Sequence, residues 1–244
     1  NHMLDPVAIV PLLLWVLDGC MLEKKRGWFA LFVGVALLDS FFFFAGNVVF
    51  LLLYFFIKLA LKEYRINPKE FGLLCLEALL GLGLGMALAL PSFYNLMGNP
   101  RPSDFASGFG IMMYGNVQQY FAIFNSALVP PDPPYLPNVF TDGATKWTSM
   151  SFFLPLLSVA GVVAYWRARR KSAMKTVLGI CLVAAMVPFL NSAFYAFNAS
   201  YYARWYYMPI LIMCFMTMKS LEDEDIDIVF GAKGALAATG AYII

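Results

Sequence analysis

The chain has 244 residues, of which 61% are apolar and only 13% are charged, with a formal net charge of +2 and a mean hydropathy of +0.71. Because soluble domains carry about 25% charged residues, this composition excludes an ordinary water-soluble protein. The apolar residues form long uninterrupted runs and not the short alternating segments of a barrel, so we predict an all-α, polytopic transmembrane helical bundle.

Runs of roughly 20 apolar residues mark helices that can cross a bilayer, and the sequence contains about eight such runs. The stretch 28–61 would be about 50 Å long as one helix, too long for a hydrocarbon core of about 30 Å. We therefore predict a tight hairpin at Ala45-Gly46-Asn47. The predicted spans are residues 6–22, 28–44, 47–61, 71–90, 151–166, 176–197 and 205–218, with an eighth beginning near residue 226.

Basic residues predict the orientation, because cytoplasmic loops are enriched in Lys and Arg. With these spans, thirteen of the 17 basic residues fall on one side: Lys24, Lys25, Arg26, Lys58, Lys62, Arg65, Lys69, Arg167, Arg169, Arg170, Lys171, Lys175 and Lys219. The chain therefore starts outside. We expect residues 1–90 to hold four spans, 91–150 to form an extracytoplasmic loop, and 151–244 to hold the last spans. Since the sequence opens and closes with apolar helices, we expect it to be part of a longer membrane protein.

Within the loop 91–150, residues 110–129 are predicted to form an amphipathic helix. Met113, Val117, Phe121, Phe124 and Leu128 share one arc of that helix, and amide side chains occupy the other. Because the helix has many aromatic and no basic residues, it suits the membrane interface or the roof of a cavity.

The predicted spans also contain glycines and charged residues, whose presence in an apolar helix requires a structural or functional explanation. The run Gly81-Leu82-Gly83-Leu84-Gly85 indicates close helix packing and not a nucleotide-binding loop, since it follows no strand. Asp18, Asp39 and Glu77 are costly within a bilayer, and a hydrogen bond to a neighbouring helix would explain each of them. For Asp39, lining an outward-facing cavity is the alternative.

The acidic run at residues 222–225 is predicted to begin the eighth helix, where carboxylates suit the positive end of the helix dipole, with Ser220 as its cap. A divalent-metal site at these carboxylates is the alternative. No ligand spacing elsewhere supports a metal, so we predict no cofactor.

The segment 188–207 joins the sixth and seventh spans and combines one arginine, Arg204, with a run of Tyr and Trp side chains. It is either an aromatic belt with Arg204 anchored among lipid headgroups, or a pocket in which the guanidinium holds a phosphate bidentately beside aromatic faces. In the second case the candidate substrate-binding residues are Arg204, Arg101, Asn191, Asn198, Tyr201, Tyr202, Trp205 and Asp39. We find no pairing of a nucleophile with a base.

Motifs in the same segment resemble a known family. Pro188-Phe189-Leu190-Asn191-Ser192, followed by Phe194, Arg204-Trp205 and Tyr207, is similar to the pattern of bacterial YfhO-type membrane proteins. So are Leu4-Asp5-Pro6 with Pro11-Leu12, the run Ser40-Phe41-Phe42-Phe43-Phe44, and residues 149–156. These matches occur in order across most of the chain. The family in turn is similar to the GT-C glycosyltransferases.

The resemblance implies a GT-C-like enzyme of the bacterial cytoplasmic membrane that moves a sugar from a polyprenyl-phosphate donor to a cell-envelope polymer or lipid on the outer face. Arg204 or Arg101 would hold the donor phosphate. The catalytic acidic residue of GT-C enzymes lies in the first outer loop, upstream of this chain, so the catalytic residue here is unknown, and Asp39 has no counterpart in the family pattern. The expected partners are the bilayer, the donor and the acceptor, with no nucleic acid. The alternative is a non-catalytic scaffold or lipid-binding subunit of an envelope assembly.

Overall fold

The structure is a computed structural model that describes residues 5–97, 110–130, 151–198 and 203–243. Those ranges contain α-helices, one 3₁₀ turn and no strand, so the predicted all-α class is confirmed there. The helices are α1 (Asp5–Leu22), α2 (Trp28–Asp39), α3 (Phe41–Ala60), α4 (Pro68–Met97), α5 (Val117–Leu128), α6 (Leu156–Ala168), α7 (Ala173–Met186), α8 (Pro188–Ala193), α9 (Tyr207–Glu222) and α10 (Ile228–Ile243), with the 3₁₀ turn at Arg204–Tyr206.

Three of these helices are long and apolar enough to cross a bilayer: α1, α3 and α4 over Pro68–Asn95. Shorter apolar helices occur at Trp28–Asp39, Ala173–Met186 and Ile228–Gly240. A helix of 12 residues such as α2 is about 18 Å long, which is less than the hydrocarbon thickness. The count of eight crossings therefore stays a prediction for the remaining segments.

The chain folds as two compact units, one formed by residues 1–107 and 193–198 and the other by residues 108–192 and 199–244. We refer to them as the first and second units. The division into segments 1–90, 91–150 and 151–244 stays a prediction about membrane topology.

In the first unit, neighbouring helices alternate in direction. The carboxylate of Asp18 near the end of α1 contacts Lys58 in the last turn of α3, at 2.8 Å. The amide of Gly27, just before α2, donates to the Glu77 carboxylate in the early part of α4, at 3.0 Å. Lys24 in the α1–α2 loop pairs with Glu70 in the first turn of α4, at 2.7 Å. These contacts fit an up-and-down arrangement of the four helices.

Glycines hold α2 and α4 side by side. A Cβ atom on Gly81 would lie 2.5 Å from the Ala30 carbonyl oxygen, and one on Gly85 would lie 2.6 Å from the Leu37 side chain. The same atom on Gly83 would meet nothing within 4 Å. The predicted packing role of this run is therefore confirmed for Gly81 and Gly85, and Gly83 faces away from the contact.

The hairpin predicted at residues 45–47 is wrong, because the break lies at Ser40. This residue is extended (φ −155°, ψ 104°), its amide donates to the Ala36 carbonyl, and its hydroxyl accepts from the Phe43 amide at 3.4 Å. Ser40 thus ends α2 and caps α3. Gly46 and Asn47 lie buried inside α3, where the chain continues as a helix and makes no turn.

Two proline positions also differ from the predicted spans. The span 176–197 is not continuous, because α7 ends at Met186 and α8 begins at Pro188, with Val187 in an extended conformation. A proline disfavours helical geometry in the residue before it, which explains this break. By contrast, α4 continues through Pro91 to Met97, so the predicted loop 91–150 begins as helix.

In the second unit, α6 packs against α9 and α10 through small residues. A Cβ atom on Gly161 would lie 2.6 Å from the Thr217 side chain, and one on Gly231 would lie 2.0 Å from the Ala160 carbonyl oxygen. The Thr217 hydroxyl donates to the Ser158 carbonyl at 2.7 Å. The close approach lets side chains of α9 bond directly to the backbone of α6.

The acidic run does not begin a helix as predicted. Residue Glu222 ends α9, and Asp227 caps α10 by accepting from the Phe230 amide at 3.0 Å. Ser220 lies inside α9 and donates to the Gly161 carbonyl at 2.8 Å, so it caps nothing. Asp227, seven residues after Ser220, is the better cap because it directly precedes the first turn of α10.

Candidate functional site

Arg204 lies on the 3₁₀ turn Arg204–Tyr206, immediately before α9. Its side chain is half-buried, whereas the next two residues, Trp205 and Tyr206, are buried. The turn is therefore anchored by two buried aromatic side chains that directly follow Arg204.

Trp205 is fixed by a hydrogen bond to α8. Its indole N–H donates to the side-chain oxygen of Asn191 at 2.6 Å, and the two residues are only 2% and 1% exposed. Both were candidates for binding substrate. With this bond and burial, their geometry suits positioning of the Arg204 turn, because neither side chain faces an open surface.

Tyr206 extends the same cluster towards α5. Its ring stacks on Phe152 with centroids 3.9 Å apart, and the Trp205 ring meets it edge-on at 5.0 Å. The Phe152 amide donates to the Ser126 carbonyl in α5 at 3.0 Å. The Arg204 turn is thus connected through stacked rings to the helix of the predicted outer loop.

Tyr114 ties the start of that loop helix to α7. Its hydroxyl donates to the Ala185 carbonyl at 3.0 Å, and its amide donates to the Tyr120 hydroxyl at 3.0 Å. Burial raises the pKa of the Tyr114 phenol, so the hydroxyl keeps the proton that it donates. Nearby, the Phe189 amide donates to the Ile111 carbonyl at 3.0 Å. The segment before α5 is therefore held in place by α7 and α8.

The remaining candidates lie elsewhere or outside the described residues. Asn198 and Asp39 belong to the first unit. Asn198 closes a turn by donating its amide to the Tyr195 carbonyl at 3.0 Å, and half-exposed Asp39 ends α2. Arg101, Tyr201 and Tyr202 are not among the described residues. Of the candidate set, the structure brings Asn191 and Trp205 into contact beside Arg204.

The other charged residues of the predicted spans have structural partners. Glu77 accepts from the Gly27 amide and lies 3.6 Å from the Arg26 guanidinium. Asp18 accepts from Lys58 and from Tyr54 at 3.1 Å. For both carboxylates the predicted hydrogen bond between neighbouring helices is confirmed. Lys58 itself, which the sequence analysis counted among the basic residues of the cytoplasmic side, is buried.

Sequence reasoning missed Phe152 and Tyr206 as parts of the cluster. Both occur in apolar stretches where aromatic residues are common, so their stacking had no sequence signal. In the part of the chain that the structure describes, no group of three or more His, Cys, Asp or Glu side chains comes together to hold a metal ion. Within the acidic run, Asp223 instead accepts a hydrogen bond from Arg169.

The family model for the bacterial membrane protein YfhO matches residues 1–243. No curated protein and no solved structure matches the chain. The match covers both units and every helix described above.

Proposed function

The chain belongs to the YfhO family of bacterial membrane proteins, and on that premise we propose that it acts as a GT-C-like membrane glycosyltransferase. The donor is a polyprenyl-phosphate-linked sugar, and the acceptor is a polymer or lipid of the cell envelope. The reaction takes place at the outer face of the bacterial cytoplasmic membrane, with the N-terminus of this chain outside.

The observation that carries the proposal is the placement of Arg204. A half-buried guanidinium stands on a short turn that the Trp205–Asn191 bond and the Tyr206–Phe152 stack hold in place. Planar guanidinium groups bind phosphate oxygens bidentately, and aromatic rings beside them suit a sugar or an isoprenoid chain. A fixed cation also costs less reorganisation when charge develops on the phosphate during reaction.

The proposed reaction is a substitution at the anomeric carbon. An acceptor hydroxyl forms the new carbon–oxygen bond and gives its proton to a base, while the bond to the donor phosphate breaks. The phosphate leaves with the electron pair, and Arg204 stabilises its negative charge. The base is not assigned to any residue of this chain. Asn191 and Trp205 act as positioning residues, and Tyr201 and Tyr202 are proposed as further contacts to substrate. The roles of Arg101, Asn198 and Asp39 stay predictions from the sequence.

Contacts in the first unit support the proposed orientation. Lys24 and Arg26 lie near Glu70 and Glu77, and Lys58 lies at the end of α3, so these three basic residues gather at one end of the four helices. A cytoplasmic location for that end satisfies the positive-inside rule. The proposed outer face is then the opposite end.

The test measures sugar transfer by the protein in membranes, with polyprenyl phosphates that carry ¹⁴C-labelled hexoses as donors and isolated cell envelope as acceptor. We expect Arg204→Ala to lower transfer at least 100-fold and Arg204→Lys to restore only part of it, since losing a charged contact to a transition state costs about 3 kcal/mol. Arg170→Ala, which removes an exposed arginine after α6, is the matched control and should keep wild-type activity.

A scaffold or lipid-binding subunit is the second candidate. The burial of Asn191 and Trp205 favours it, because two polar groups of the segment serve the fold and not a substrate. Transfer that is equal in wild type and Arg204→Ala, at equal protein levels, would reject the role of Arg204 in holding the donor phosphate. No transfer above that of membranes without the protein would reject the enzyme. Retained binding of a polyprenyl-phosphate probe with no transfer by the wild type would favour the lipid-binding subunit.

A further inference from the structure

The outer surface of the segment around α5 is apolar. Ile111, Met112, Met113, Val117, Phe121 and Phe124 are each 62–71% exposed, and we refer to these six residues as the α5 apolar face. Val117, Phe121 and Phe124 lie within about 60° of each other around the helix, since successive residues turn by about 100°. They form one continuous stripe, which the loop residues before the helix extend.

The opposite side of α5 faces the protein and buries polar side chains, unlike the buried side of a helix on the surface of a soluble protein. Gln119 and Ser126 are buried there together with Ala122 and Ile123. The Ser126 hydroxyl donates to the Ile123 carbonyl at 2.7 Å. A helix that packs on a soluble protein buries its apolar side chains and exposes its polar ones. Here amide and hydroxyl groups point into the protein and phenylalanines point out.

Charge is absent from the sequence of this segment. Residues 110–130 contain no Lys, Arg, His, Asp or Glu. The polar side chains at its edge are the neutral amides of Asn116, Gln118 and Asn125, with the Asn116 amide oxygen capping the helix through the Gln118 amide at 2.9 Å. An uncharged apolar stripe bordered by neutral polar groups matches the boundary between acyl chains and headgroups.

The α5 apolar face also continues into apolar surface on neighbouring helices of the same unit. The Phe189 amide donates to the Ile111 carbonyl, so α8 lies directly beside the start of the face. Phe189 and Leu190 are themselves exposed, as are Ile180, Leu182 and Val183 of the apolar helix α7. In a membrane protein, exposed apolar residues of such a helix face lipid.

From these observations we propose that the α5 apolar face is a membrane-docking surface, and that its occupant is the acyl-chain region of the bilayer just below the phosphate headgroups. The helix lies along the interface and inserts Phe121 and Phe124 between lipids. This docking fixes the height of the loop helix above the bilayer and, through the Phe152–Ser126 bond, the height of the ring cluster next to Arg204. The proposal requires no catalytic activity.

The experiment places tryptophan on the face and measures its contact with lipid. Phe121→Trp and Phe124→Trp are reconstituted as the complete protein into phosphatidylcholine vesicles, with and without bromine on the acyl chains. Wild-type fluorescence from the native tryptophans is subtracted. Glu224→Trp, at an exposed acidic position between α9 and α10, is the control that faces water. Val117→Trp repeats the test on the same stripe if either first variant unfolds.

We expect brominated lipid to quench the added fluorescence of the α5 variants about twofold or more, and iodide to quench only that of Glu224→Trp, because side chains at this depth sit about 5–10 Å below the surface. Quenching of Phe121→Trp by iodide would overturn the proposal, since the face would then be in water. Resistance to both quenchers would also overturn it, since protein, such as a second copy of the chain, would then cover the face. Neither outcome depends on glycosyl transfer.

Discussion

Lys58 and Asp18 form a largely buried ion pair between α3 and α1. The ammonium lies 2.8 Å from the carboxylate, and the two side chains are 9% and 32% exposed. The rings of Tyr54 and Tyr64 lie 5.0 and 4.7 Å from the same ammonium, and both hydroxyls donate to Asp18. Burial raises the pKa of Tyr64, so its hydroxyl keeps this proton. The pair therefore joins two helices and the loop that follows them.

Removing the lysine should leave the carboxylate without its counter-ion. We expect Lys58→Met to lower the free energy of unfolding by about 1–3 kcal/mol, below the 3–5 kcal/mol typical of fully buried pairs because Asp18 is partly solvated. The measurement is titration with a denaturing detergent, followed by tryptophan fluorescence. Combining Lys58→Met with Asp18→Asn should recover part of the loss.

The exposed pair Lys25–Glu23 offers the control for this prediction. Its side chains are 60% and 58% exposed, and Lys25→Met should change the free energy of unfolding by less than about 0.5 kcal/mol. If the two lysine variants unfold at the same detergent concentration, the buried pair contributes no more than a surface one.

Glu77 supplies the missing cap of α2. Gly27 precedes this helix and has no side chain to accept from its first amides, and the Glu77 carboxylate of α4 accepts from Gly27 instead. We expect Glu77→Leu to cost about 1–3 kcal/mol, since the Gly27 amide loses its hydrogen bond to a charged acceptor, and Glu77→Gln to cost less because an oxygen remains. Hydrogen exchange of the peptide covering residues 23–32 should become faster in Glu77→Leu. An unchanged exchange rate in this peptide would show that Glu77 does not cap α2.

Much of the helical architecture follows from hydropathy alone. The first predicted span ends where α1 ends, at Leu22, and the second begins where α2 begins, at Trp28, because a basic loop interrupts the apolar sequence between them. The break at Ser40 was not predictable, since Gly46 and Asn47 are stronger turn formers and only burial inside α3 removes that preference. The break before Pro188 was visible in the sequence, since a proline restricts the residue before it.

The candidate site was predictable in part. The segment with Arg204 stands out because it contains the single cation among many aromatic residues. The bond between Trp205 and Asn191 depends on the path of the chain between α8 and the turn, which no spacing rule specifies. For the same reason a hydropathy pattern identified the stripe on α5 but did not say whether it points inward or outward.

Gly81 and Gly83 make a matched pair for testing helix packing. A Cβ atom on Gly81 would overlap the Ala30 carbonyl, whereas the same atom on Gly83 would meet open space. Gly81→Ala should therefore lower the free energy of unfolding by about 1–3 kcal/mol through overpacking. Gly83→Ala should leave it unchanged or raise it by up to about 1 kcal/mol, because alanine favours the helix. Equal effects of the two substitutions would show that α2 and α4 do not touch as described.

The Trp205–Asn191 bond can be measured by a double-mutant cycle. Trp205→Phe and Asn191→Leu each remove the bond, and each should cost about 1–3 kcal/mol. Because they remove the same interaction, the double variant should lose about 1 kcal/mol less than the sum of the two single variants.

A second double-mutant cycle tests whether the coupling between Trp205 and Asn191 arises from their hydrogen bond. Leu221 lies on α9 about 20 Å along the helix from the turn, so Trp205→Phe and Leu221→Ala should be additive within about 0.5 kcal/mol. If both cycles are additive, the turn is held by packing of the indole ring and not by its hydrogen bond. If only the first cycle shows coupling, the hydrogen bond from Trp205 to Asn191 stabilises the turn that carries Arg204, because only that cycle changes Asn191.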